Sequence, residues 1–204
     1  MAETIYNLSK DLREAEQMVQ GLIPYVYEEQ IYANVGTGGI FASKNTPSLT
    51  LGALLMRLRR LHEQSNQMSD AQRATLERIS YEHERVRNEW TLHYNNKLVQ
   101  EANSRLKLLN QYFHDCQEDP RTCANAYLPE ALRRTIVQEI ADTLEQQNMA
   151  SAELDNAIRN ADSGLRRYIV PSDFIWSQEL QPLYPKSRFW WLYAKPQVRE
   201  KNHG

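Results

Sequence analysis

Between Pro47 and Pro120 the chain has no proline, and between Gly52 and Gly164 it has no glycine. An interior proline costs a helix about 3 kcal/mol and a glycine about 1 kcal/mol, so both gaps predict sustained helix. Long apolar runs are missing as well: nothing approaches the ~18 consecutive residues of a membrane span. Charge of one sign is also missing. The 24 Lys and Arg against 26 Asp and Glu leave a net charge of −2, which excludes a global bias toward nucleic acid or acidic membranes. Two cysteines, Cys116 and Cys123, are too few for a disulfide framework. The opening Met1-Ala2-Glu3-Thr4 lacks the basic and apolar regions of a secretory signal. The expected compartment is therefore a reducing one, cytoplasm or nucleus.

What is present is helical patterning. A mean hydropathy of −0.68 with 41% hydrophobic residues suits elongated helices that bury one stripe and solvate the rest. Ile5, Leu8, Leu12, Ala15, Val19 and Leu22 predict a first helix over 4–23, with Pro24 ending or kinking it and 25–32 as a short continuation. The glycines, asparagine and proline of 34–48 predict a loop. Ser48 or Thr50 caps a second helix striped by Leu51, Leu54, Leu55, Leu58 and Leu61. Ser69-Asp70 looks like a fresh cap.

A third helix is predicted from Asp70 to Gln117, roughly 70 Å long, with a stripe running from Leu76 through Trp90 and Leu98 to Phe113. Glu118-Asp119-Pro120 stops it. Pro129 takes the first position of a fourth helix reaching Tyr168, roughly 60 Å long. The short connection folds the two into an antiparallel, coiled-coil-like hairpin whose tip is 118–128. That register sets Leu98 and Glu101 near Gln147, Trp90 near Ile158 and Ile79 near Tyr168. Gln147 and Ser151 interrupt the stripe and are assigned to register setting or to contact with another chain. Four-residue steps from Val86 to Leu106 resemble a stutter, which flattens a supercoil. The whole reads as all-α: N-terminal helices and loop over 1–62, hairpin over 63–168, aromatic tail over 169–204.

From Tyr168 onward lie eight of the nineteen aromatics. Trp176, Tyr184, Phe189, Trp190, Trp191 and Tyr193, with Phe174, supply large apolar surface, and the first expectation is that they pack on the base of the hairpin. The second makes them, with Arg188, a partner-binding surface. Docking at a membrane interface comes third.

Other constellations are weaker. Cys116, Cys123 and His114 flank the turn, but they lack zinc-site spacing, and a buried Cys116 with a loop Cys123 is the simpler reading. A disulfide across the tip is the alternative. None of His62, His83 and His93 follows a Glu by three, as a di-metal bundle requires. Gly36-Thr37-Gly38-Gly39 with Lys44 lacks the spacing of a phosphate loop. Arg57, Arg59 and Arg60 are the densest basic cluster, while residues 70–117 balance seven acids with seven bases. Spacing reveals no Ser-His-Asp arrangement.

The expectation is a non-catalytic helical subunit or scaffold, without cofactor or metal. It would bind other subunits, or itself, through its stripes. The alternative is a nucleic-acid or chromatin-associated adaptor using Arg57, Arg59 and Arg60.

Overall fold

The structure is a computed structural model and describes residues 6–34, 48–118 and 120–197. It is mostly helical, and none of its described helices is long and apolar enough to cross a membrane. Among the described residues seven α-helices carry it: α1 Leu8–Gln20, α2 Leu22–Tyr27, α3 Leu51–Glu63, α4 Asp70–Glu89, α5 Thr91–Glu118, α6 Pro120–Gln146 and α7 Ala152–Arg166. Two short antiparallel ribbons accompany them, β1 Ala33–Asn34 with β2 Ser48–Leu49, and β3 Ile169–Pro171 with β4 Ala194–Pro196. The expected loop falls mostly on 35–47, outside the described residues.

The first helix is shorter than its periodicity. Asn7 caps α1 by accepting from the Lys10 N–H, and the chain turns at Gly21. Pro24 does not end a helix. It sits in the first turn of α2, where its missing N–H costs nothing.

Thr50 starts α3, accepting from the Ala53 N–H, and the tertiary structure reinforces the cap. The fully buried Glu101 accepts from the Gly52 N–H and from Arg105 Nε, and Arg105 Nη2 donates to Thr50 Oγ1. A Cβ at Gly52 would lie 2.5 Å from Ile136 and 2.7 Å from Ile140, so only glycine lets α3 meet α5 and α6 this closely.

The long third rod is not continuous. It breaks at Trp90 between α4 and α5. The Thr91 hydroxyl donates to the carbonyls of Arg87 and Asn88, the kind of back-bonding that bends helices. Across the joint, His83 Nε2 and Tyr94 Oη share a buried 2.7 Å hydrogen bond.

The fourth rod differs more. It begins at Pro120, and Pro129 lies inside it. Two anchors hold the helix in the turns before that proline. Cys123 bonds to Cys116, and the Tyr127 hydroxyl donates to the Trp191 carbonyl. Cys123 is thus a helical, buried disulfide partner, not a loop cysteine, and the expectation of a reducing compartment finds no support.

The rod then ends at Gln146. Asn148 is left-handed, with φ 57°, and the Met149 N–H donates to the Leu144 carbonyl, a helix stop of Schellman type. Ser151 caps α7 by accepting from the Leu154 N–H. Gln147 and Ser151 therefore serve a reversal and not a register.

After that reversal α7 runs back along its neighbours. Arg134 donates from Nε and Nη2 to Asp162, and Tyr168 stacks on Phe113, in place of the expected Ile79. Leu132 is exposed, while Ile136, Ile140 and Leu144 are buried. The stripe of α5 and α6 is covered from within by α3, α7 and the tail.

Candidate functional site

The C-terminal segment folds back through β3, two 3-10 turns (Gln178–Leu183 and Trp190–Tyr193) and β4. Trp176, Tyr184, Phe189 and Trp191 meet edge to face in succession, with centroids 4.9 to 5.5 Å apart. Trp191 is fully enclosed and donates from Nε1 to Thr135 Oγ1 at 2.9 Å. Tyr184 and Phe189 are likewise buried, and rings enclosed by their own chain offer no surface to another. Trp176, Trp190 and Tyr193 are half-buried. The Tyr193 hydroxyl donates to the Tyr184 carbonyl, Trp190 lies under Arg166, and the exposed Arg188 pairs with Asp142.

The basic cluster faces inward. Arg57 bonds Glu14 and lies 3.6 Å from Asp11. Arg59 donates from Nε to both oxygens of Glu139 and from Nη1 to the Leu183 carbonyl, with its guanidinium over the Tyr184 ring. Arg60 donates to the Tyr184 hydroxyl at 2.6 Å and lies over Trp176. Burial alone would lower the pKa of Arg60, but Tyr184 and Asp11 outweigh it. Burial pushes the Tyr184 phenol up. These guanidinium groups tie α3 to α1, α6 and the tail, so they face carboxylates and rings within the chain.

A cleft of about 250 Å³ lies among α3, α4 and α6, lined by His62, His83, Glu84, Arg87, Glu139 and Asp142. Its charges are already matched: Arg87 pairs with Glu84, Arg59 with Glu139 and Arg188 with Asp142. The His62 ring meets Ser80 Oγ at 3.0 Å. Burial, then Arg87 and His62, lowers the His83 pKa to about 4, which makes this imidazole neutral. No group of His, Cys, Asp and Glu among the described residues is arranged to hold a metal.

A less covered aromatic cluster lies elsewhere. Tyr27 at the end of α2 packs edge-on against Trp90, with centroids 4.6 Å apart, and both rings contact His93. Tyr27 is 49% exposed, and Leu92, between Trp90 and His93 in the chain, is 68% exposed. Ile23, one turn before Tyr27 and on the same face of α2, is 40% exposed. Sequence reasoning placed Trp90 in the buried stripe and passed over Tyr27 and Leu92. The available signal was a leucine out of phase beside a tryptophan at a threonine-bearing joint. No family model, curated protein or solved structure matches the chain.

Proposed function

We propose that the chain is a non-catalytic helical subunit of a protein assembly, and that it meets its partner through the surface where α2 reaches the α4–α5 joint. The observation that carries this reading is the grouping of Ile23, Tyr27, Trp90 and His93 on one surface, beside the exposed Leu92. Scattered apolar residues on a surface are ordinary, whereas aromatic groups with aliphatic neighbours mark contact sites. The α5–α6 pair, bridged by Cys116 and Cys123, is the rigid frame behind this surface, in place of a projecting 60–70 Å arm.

Partner capture tests the reading. The wild-type chain, purified from cells of its source, should retain a stoichiometric protein that Tyr27→Glu with Leu92→Glu releases at unchanged melting temperature. If the double variant retains the same protein in the same amount, this surface is not the interface.

A further inference from the structure

Two adjacent arginines at the end of α7 have different surroundings. Arg166 lies over the Trp190 ring at 3.8 Å. Arg167, the last cap of α7, lines an open groove of about 410 Å³ between α5 and α7. The floor of this groove is aromatic. Phe113 and Tyr168 stack nearly parallel, with centroids 6.1 Å apart. Gly164 allows α7 to lie on that floor, because a Cβ there would come within 2.6 Å of the Phe113 ring.

The walls are amide-rich. Asn110, Gln117 and Asn160 line them with His114, and no Asp or Glu among the described residues belongs to the lining. Glu118, 3.7 Å from His114 Nδ1, stands outside it. Among the described residues of the lining, Arg167 therefore brings the fixed charge to the groove.

Each of these features selects ligand chemistry. A planar guanidinium fork matches a carboxylate and rejects a cation. Carboxamide side chains offer a donor and an acceptor each, the complement of a peptide group. An aromatic floor accepts an aromatic or large apolar side chain. The volume falls within the usual range of ligand sites, about 300–1,000 Å³.

We propose that the α5–α7 groove binds a free carboxylate carried next to an amide and an aromatic or large apolar side chain. That is the chemistry of a peptide's C-terminal residue or of a small N-acyl amino acid. The carboxylate meets Arg167, the amide meets the carboxamides, and the side chain lies on Tyr168 and Phe113. The groove is separate from the Tyr27 surface and does not depend on its role.

Calorimetric titration of the full chain with N-acetyl-phenylalanine, and with its uncharged amide, tests the assignment. The acid should bind saturably and at least about tenfold more tightly than the amide, as expected for a charge-assisted pair. In Arg167→Gln, an exposed site whose melting temperature should not move, acid and amide should bind equally. Tyr168→Ala should weaken both. Absence of saturable binding, equal affinity of acid and amide for the wild type, or a preference that survives Arg167→Gln overturns the proposal. An acetylated tetrapeptide ending in phenylalanine identifies the source: binding at least as tight as the small acid assigns peptide ends. Exclusion of the tetrapeptide with retained binding of the small acid assigns the N-acyl amino acid.

Discussion

Two aromatic clusters of similar composition have opposite surroundings in this molecule. In the C-terminal cluster, Trp176, Tyr184, Phe189 and Trp191 follow one another edge to face, and Arg59, Arg60 and Arg134 lie against the rings. In the other, Tyr27, Trp90 and His93 contact each other while Tyr27 stays half exposed. Residue type does not separate the two. The C-terminal rings sit on a segment that returns over α3 and α6, so helices lie behind them and backbone and guanidinium groups in front. The Tyr27 group sits where α2 meets a bent helix, and no segment returns over it among the described residues. Aromatic richness therefore marks apolar surface that needs cover, and the path of the chain decides whether the chain itself provides it.

The largest test of this contrast removes an enclosed ring. Trp191→Ala should cost about 4 kcal/mol, as large-to-small core changes do, and should appear as an earlier urea midpoint. A loss below 1 kcal/mol would mean that the tail is only loosely applied.

Acid probes the joint beneath the open cluster. His83 is buried against Tyr94, and its pKa is lowered from the ordinary 6.5 to about 4. In the unfolded chain this imidazole takes up its proton first. Its contribution is therefore intact above about pH 6.5 and is lost as pH falls toward 4, amounting to about 3 kcal/mol. Glu84, 3.8 Å away, and Arg87 are the charges facing it. His83→Gln should shrink the fall in stability between pH 7 and 4.5 by roughly that amount. Parallel wild-type and variant curves would remove His83 as the cause.

The disulfide sharpens the enclosed side. Cys116 and Cys123 are seven positions apart, and the Tyr112 hydroxyl donates to the Cys123 carbonyl in the same enclosed region. Closing so short a loop should contribute about 2 kcal/mol, seen as a lower melting temperature for Cys116→Ser with Cys123→Ser. The smallest expected effect belongs to the open side: Tyr27→Ser and Leu92→Ser should each change stability by under about 0.5 kcal/mol. A larger change would show that these side chains support the fold instead of presenting a surface.

Much of the helical pattern was legible. The Thr50 cap, the leucine stripe of α3 and the new start at Ser69 all depend on neighbours within four residues. The break at Trp90 was harder to read, because one threonine hydroxyl outweighs a periodicity that continues undisturbed. Pro129 misled for the opposite reason. A strong local helix-start signal was overridden by the Cys116–Cys123 bridge and by Tyr127, whose partner lies 64 residues away. In the groove, Arg167, His114 and Asn160 had no pattern to reveal them, since α7 approaches α5 only after the turn at Asn148.

By itself the sequence determined where helices form and which of their faces are apolar, since both follow from side chains a few residues apart on one backbone. Tertiary structure alone decided that α7 turns back, that Arg57, Arg59 and Arg60 face carboxylates, and that Trp191 is enclosed while Tyr27 is not. These depend on contacts between segments up to 124 residues apart, such as Arg60 with Tyr184. Such partners are chosen by the energy of the whole packed arrangement, and no local window contains it.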